Sequence, residues 1–250
     1  MLHPVHSAYR TPGGSVYTKF LDLADKSHLL IAGATGSGKS VALNGIIHSL
    51  LMTKFPSDCQ FVLIDPKKVE LIQYARTPHC VRYASDHPDI VRSLQWAVDE
   101  TDRRFTVMQS QGVREYQGGH LYVIVDELAD LMVSIKKETL PLLQRLAQIG
   151  RAARVHLIAC SQNIMAQTIP TVLRCNFPAV LGLRTCNAAQ SRFLIQATGC
   201  EMLPDPKRDG KGYGFLRDGA DLDKILVYKY PDDDVDRVLN WWKSTACVAS

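Results

Sequence analysis

The sequence predicts an α/β fold: a mostly parallel sheet flanked by helices, ending in a β-hairpin and a short helix. Three observations carry that expectation. From His28 onward, short apolar runs alternate with longer stretches of helical spacing, and strands that alternate with helices make a parallel sheet covered on both faces. The tail changes texture, with two strand-like runs flanking Asp218-Gly219-Ala220-Asp221, a hairpin signal. The chain has 250 residues, 46% of them hydrophobic and 22% charged, which argues against disorder, collagen and coiled coil. At this length roughly three quarters of the unfolded surface can be buried, so one large core needs no staples.

Residues 1–16 hold Pro4, Pro12, Gly13 and Gly14 without periodicity. They read as an N-terminal arm ahead of a domain over 17–250. His28-Leu29-Leu30-Ile31-Ala32 is a buried strand. Residues 40–54 carry Leu43, Ile46, Ile47, Leu50 and Leu51 at helical spacing, and Phe61-Val62-Leu63-Ile64-Asp65 is a second strand. Asp86 and Pro88 open a long helix with Ile90, Leu94, Ala97, Val98, Thr101, Phe105 and Met108 on one face, and Gly112 closes it. Leu121-Tyr122-Val123-Ile124-Val125-Asp126 is a third strand. Residues 140–154 are helical, with Leu142, Leu143, Leu146 and Ile149 inward. Residues 155–160 and 179–183 form a fourth and a fifth strand. Residues 212–217 pair with 224–230 as the hairpin. Pro231 opens the last helix, where Asp232, Asp233 and Asp234 place negative charge in the first turn and Trp241 and Trp242 act as packing anchors.

Lys plus Arg is 29 and Asp plus Glu is 25, a formal net charge of +4. That is too mild to announce a nucleic-acid binder. The seven cysteines form no C-x-x-C pair and no zinc-finger spacing, the usage of a reduced cytoplasmic protein with buried thiols. No apolar run approaches the roughly 18 residues of a membrane span, and the first residues lack a signal-peptide core. No membrane segment is expected.

Gly33-Ala34-Thr35-Gly36-Ser37-Gly38-Lys39-Ser40 fits G-x-x-x-x-G-K-[ST], with a strand before it and a helix after it, as a P-loop requires. Glycines let backbone N–H groups wrap a phosphate at the positive end of a helix dipole. The expected ligands are ATP and Mg²⁺, cradled by Gly33, Thr35, Gly36, Ser37, Gly38, Lys39, Ser40 and Val41. Lys39 would neutralise the outer phosphates and the Ser40 hydroxyl would ligate Mg²⁺. Asp126 ends its strand where P-loop enzymes place a Mg²⁺-holding carboxylate, and Glu127 beside it can orient the attacking water. The simpler alternative is that Asp126, Glu127 and Asp130 only favour a helix N-terminus. Gln162 follows the fourth strand and can sense the γ-phosphate, or merely cap a loop. The sensing role puts that strand between the P-loop strand and the Asp126 strand. Arg145, Arg151 and Arg154 are either a solvated face or a guanidinium fork offered to a neighbouring subunit. Arg103 and Arg104 read as a solvated or salt-bridged pair.

Over residues 21–243 the sequence resembles the motor domain of the FtsK/SpoIIIE DNA translocases, within the wider FtsK–HerA group. The likeness rests on the P-loop, on Ile64-Asp65-Pro66-Lys67 followed by Val69-Glu70-Leu71 and Pro78-His79, and on Asp102-Arg103-Arg104-Phe105 with Gly112-Val113-Arg114. It rests equally on Val125-Asp126-Glu127-Leu128-Ala129-Asp130-Leu131-Met132, on Arg145-Leu146-Ala147-Gln148, and on Arg151-Ala152-Ala153 with His156-Leu157. The resemblance implies a RecA-like P-loop NTPase fold and a homo-oligomeric, hexameric ring that pumps double-stranded DNA through its pore, gripping mainly phosphates. It implies that Arg151 is the finger reaching a neighbour's ATP, Glu127 the catalytic carboxylate and Gln162 the γ-phosphate sensor. DNA-facing positions would be Asn163, Arg174 and Arg192. Asn163 and Ala188 depart from the family's arginine and lysine, and Val180 from another arginine, which bears on DNA grip and inter-subunit timing. The chain is expected to be the motor with little attached. Related tasks are conjugation coupling, genome packaging, secretion-type work on proteins, and a slow nucleotide-dependent scaffold.

Overall fold

The computed structural model describes residues 7–10, 16–19 and 27–246. One ten-stranded sheet runs through the molecule. Its strands in chain order are β1 (Ser7–Arg10), β2 (Val16–Lys19), β3 (His28–Ala32), β4 (Cys59–Ile64), β5 (Cys80–Ala84), β6 (His120–Val125), β7 (Val155–Ser161), β8 (Ala179–Leu183), β9 (Gly212–Asp218) and β10 (Asp221–Val227). Across the sheet they lie β2-β1-β10-β9-β8-β3-β7-β6-β4-β5. The six from β8 to β5 are parallel, and the other pairings are antiparallel. β7 sits between β3 and β6, the order that the sequence reading of Gln162 expects.

The helices are α1 (Lys39–Thr53), α2 (His87–Gln111), α3 (Leu128–Ser134), α4 (Lys136–Ile149), α5 (Ala188–Ile195) and α6 (Asp232–Ala246), with single turns at Thr171–Arg174 and Pro206–Asp209. The Asp86 carboxylate accepts from Asp89 N at 3.1 Å and caps α2, with Pro88 in the first turn. Helices cover both faces, so the central strands have no solvent side and read as apolar runs. In β3, Leu30 and Ala32 face the core built with α2, α3, α4 and α5, while Leu29 and Ile31 face the core built with α1 and α6. All four are wholly buried.

Some elements escape sequence reading. β5 carries Arg82 and is half exposed at the sheet edge, so it lacks the apolar run of an inner strand. α3 is only seven residues long, too short to show a period. The arm expected over 1–16 contains β1 and only the first residue of β2; the two strands pair with each other, and β1 pairs with β10 through Ser7 and Val227. Residues 1–6 and 11–15 lie outside the described residues.

The two tryptophans of α6 part company. Trp242 is 5% exposed, stacks edge-on against His79 and donates from Nε1 to Leu51 O at 2.9 Å, which pins α6 to α1. Trp241 is 54% exposed. Trp242→Ala is expected to cost about 3–5 kcal/mol of stability, and Trp241→Ala less than about 1 kcal/mol, measured by urea unfolding. Equal losses would contradict this account of α6.

Candidate functional site

The C-terminal ends of the parallel strands converge on one edge, where open α/β sheets bind ligands. β3 delivers the chain into the 33–40 loop there. Gly33 has no room for a side chain: a Cβ would meet Ser37 Oγ at 2.4 Å and Leu183 Cβ at 2.7 Å. Gly36 and Gly38 hold φ of 78° and 97°, the left-handed region that glycine enters without strain. The loop hangs from the neighbouring strand ends, through Gly33 N to Ser161 O at 3.3 Å and Ala34 N to Arg184 O at 2.8 Å. α1 then starts at Lys39, so its first N–H groups, without intrahelical partners, face the loop's hollow. That hollow is a cavity of about 320 Å³ lined by Gly36, Gly38, Lys39 and Val41, with Gln162 and Lys207 closing it.

The acids gather beside it. Lys39 Nζ donates to Asp126 O at 2.9 Å and to Asp126 Oδ1 at 3.0 Å, both groups buried. Burial opposes the ammonium charge, yet the negative field of its neighbours, Asp126 and Glu127 among them, outweighs it and holds Lys39 above the ordinary lysine range. Burial pushes the Asp126 carboxyl upward, with Lys39 pulling it back and Glu70 and Asp65 adding like charge. Ser40 Oγ donates to Glu70 Oε1 at 2.7 Å, and Glu70 Oε2 accepts from Asn44 at 3.3 Å. A hydroxyl and crowded carboxylates are the hard oxygen donors that Mg²⁺ takes, and the crowding is what a divalent cation relieves.

Glu127 is 2% exposed and stands at the N-cap of α3 without capping it. Its carboxylate turns instead to Gln162, whose backbone N–H donates to Oε1 at 3.1 Å. The Gln162 side-chain Oε1 accepts from Thr35 Oγ1 at 3.1 Å. Gln162 therefore bridges the 33–40 loop and the candidate general base. Lys67 Nζ adds ion pairs to Glu127 at 3.6 Å and Asp130 at 3.7 Å. Lys67 and Glu70 belong to the site, although no local pattern in the sequence gave them a role.

The three arginines separate cleanly. Arg145 pairs with Asp102 at 3.2 Å, and Arg154 with Glu115 at 2.8 Å. Arg151 is exposed and has no ion pair among the described residues. It lies on the turn before β7, at the opposite edge of the sheet from the loop. β7 is seven residues long, so the two ends stand about 23 Å apart, beyond the reach of an arginine side chain. Arg104, 4% exposed, holds that turn by donating to the carbonyls of Gly119, Ala153 and Arg154 at 3.0, 2.9 and 3.2 Å, its charge met by Glu100. Of the solvated or salt-bridged pair that the sequence suggested, both members pair with Glu100, and only Arg103 is exposed.

The FtsK/SpoIIIE family profile matches residues 11–120 and 118–166. The chain is 39% identical over 236 residues to the DNA translocase FtsK of Caldanaerobacter subterraneus subsp. tengcongensis, covering 89% of this chain and 32% of that protein. It is 36% identical over 241 residues to the DNA translocase SftA of Bacillus subtilis, covering 90% of this chain and 25% of that protein. The chain belongs to the FtsK/SpoIIIE family. It spans about a third of the curated relatives' length or less. Its fold is also that of the pCW3 conjugation coupling protein TcpA, solved in monomer form with ATPγS, at TM-score 0.77 and 23% identity over 90% of this chain and 67% of that one.

Of the DNA-facing positions that the FtsK/SpoIIIE resemblance implies, two come together. The Arg174 guanidinium lies 4.6 Å over the Phe193 ring and donates from Nη1 to the Phe193 carbonyl, next to the exposed Arg192. Asn163 starts the loop after β7 with its side chain exposed, while its carbonyl accepts from Ser161 Oγ at 2.9 Å and Thr168 Oγ1 at 2.7 Å. Ala188 opens α5 and Val180 is buried in β8.

Beneath the Arg151 turn lies a buried imidazole chain. His156 Nδ1 donates to Ser27 O at 3.0 Å, so its Nε2 accepts from His120 Nδ1 at 2.8 Å. His28 Nδ1 accepts from Leu157 N at 2.9 Å. Burial pushes His28 down to about 4, against the pull of the Ala147 carbonyl. Burial, with His120 and His28 nearby, drives His156 far below its usual value. Both take up protons more readily in the unfolded chain, so their contribution is full above pH 6.5 and drains away as the pH falls toward 4. The loss approaches about 1.4 kcal/mol per pH unit for each imidazole. Urea midpoints between pH 7.5 and 4.5 should fall accordingly, and a flat profile would contradict neutral burial.

Proposed function

We propose that this chain is an ATP-hydrolysing motor that works in the cytoplasm as a ring of six copies and moves double-stranded DNA.

 The observation that carries the reading is the position of Arg151: without an ion pair among the described residues, on a turn whose carbonyls Arg104 holds, and at the far edge of the sheet from its own phosphate cavity. Such a guanidinium meets a γ-phosphate when a second copy docks head to tail, and head-to-tail contacts close into rings. The DNA comes from the relatives, whose names call them DNA translocases.

The site's own residues supply the chemistry. The loop N–H groups and Lys39 bind the phosphates, and Ser40 and Asp126 would hold Mg²⁺, which neutralises charge on the phosphate oxygens when bound. Glu127 orients the attacking water and accepts its proton. Gln162 registers the γ-phosphate and passes its presence to Glu127 through the backbone bond they share. Arg151 of the adjoining copy stabilises the charge that develops during transfer. DNA is gripped through phosphates by exposed groups such as Arg192 and the loop beginning at Asn163. That grip is independent of sequence and weakens with salt. Arg174 is engaged with Phe193 rather than free for a phosphate, and this favours a second reading in which the same motor does secretion-type work on proteins.

Glu127→Gln should bind ATP with native affinity while turnover falls by at least about a hundredfold. Retained hydrolysis would move the base elsewhere. Arg151→Ala and Lys39→Ala proteins, each inactive, should recover part of the ATPase rate when mixed, because a mixed ring pairs an intact loop with an intact arginine. No recovery at any ratio, with mixed assemblies verified by mass, would overturn the role in trans. Duplex DNA at low salt should accelerate hydrolysis, and no acceleration would favour secretion-type work on proteins.

A further inference from the structure

We propose that Lys207 is a second phosphate-binding cation, supplied by the same chain as Lys39 from a turn that overhangs the loop. The proposal rests on reading the 33–40 loop as a nucleotide site. Lys207 lines the same 320 Å³ cavity as Lys39 and Ser40. Its side chain lies directly over the loop: a Cβ on Gly36 would stand 3.0 Å from Lys207 Cε and 3.5 Å from Nζ. Gly36 belongs to the segment whose backbone N–H groups face the phosphates in this motif.

The charges around the cavity explain why a further cation is needed. Lys39 is already matched by two bonds to Asp126. Lys67 is committed to Glu127 and Asp130. Lys207 is exposed and has no ion pair among the described residues, so its charge is the one left for a polyphosphate.

Its placement is built rather than incidental. Asp205 Oδ1 accepts from Lys207 N at 3.0 Å and Asp205 Oδ2 accepts from Arg184 Nη1 at 3.3 Å. The Arg184 carbonyl in turn accepts from Ala34 N at 2.8 Å. Three hydrogen bonds thus run from the loop to the backbone of Lys207. The side chain is long enough to stay on a bound phosphate while the turn itself remains fixed.

Calorimetric titration of ATP, ADP and adenosine into the native chain and its Lys207→Ala, Lys207→Arg and Lys39→Ala variants tests this. Lys207→Ala should weaken ATP binding about tenfold, the scale of one lost charge-assisted hydrogen bond. It should weaken ADP less and leave adenosine unchanged, and Lys207→Arg should recover most of the loss. Native ATP affinity in Lys207→Ala, with binding lost in Lys39→Ala, would overturn the role of Lys207 and leave the site standing. An equal loss for adenosine would overturn it as well, since the contact would not be to phosphate. Native affinity in both alanine variants would overturn the nucleotide site itself.

Discussion

Seating β7 between β3 and β6 is the constraint on which the site depends. That order places Ser161 and Gln162 in the gap between the loop after β3 and the carboxylates after β6. Gly33 N reaches Ser161 O, and Glu127 accepts from Gln162 N. A glutamine side chain spans only a few ångströms, so it can touch Thr35 while its backbone holds Glu127 only if the three strands are neighbours. Exchanging β7 with any other strand would leave Glu127 buried without its main donor, and an unpartnered buried carboxylate is costly.

The opposite edge of the sheet follows different rules. The phosphate edge needs irregular backbone, cations and space. The Arg151 edge needs a surface that keeps its shape, and buried polar groups supply it. Arg104 satisfies three carbonyls at once, and the His28, His120 and His156 rings link the starts of β3, β6 and β7. Such a network is stable because every member named here has a partner. It leaves Arg151 as an exposed group on a rigid turn, which is what the proposed role in trans would require of a guanidinium.

How much of this was legible in the sequence depended on the range of the interaction. The 33–40 loop could be read because its glycines, Lys39 and Ser40 are contiguous and each type has a local reason. The strands carrying Ile64, Val125 and Ala159 could be read because burial on both faces leaves an apolar run. The pairing of Arg145 and Arg154 could not, since Asp102 and Glu115 lie tens of residues away, and so three arginines looked alike until the fold committed two of them. Lys67 and Glu70 lay within a family motif without a role to read, because the groups they meet lie far along the chain, and Lys207, a lone charged residue in a loop, carries no pattern. Trp241 and Trp242 show the limit at its shortest range, because adjacent residues on one helix face different ways and only the position of α1 decides which is buried.

The antiparallel hairpin does more than end the chain. β9 pairs with β8 from Ala179 to Leu183, so the end of β8 is held by β3 on one side and by β9 on the other. An edge strand there would be free to fray and to pair with other chains. Gly182 lets the clamp close, because a Cβ at that position would meet Ile195 Cγ2 at 2.7 Å and Cys200 Sγ at 2.9 Å. Two residues later, Arg184 supports the loop through its carbonyl and Asp205 through its side chain. The position of the phosphate loop is therefore set from both flanks: by β7 through Ser161, and by the hairpin-clamped end of β8 through Arg184. A displacement of α5 against Gly182 would reach Ala34 through backbone and the Arg184 carbonyl, with no flexible side chain between, so the β8 end is a direct route by which the surface around Arg192 can act on the nucleotide site.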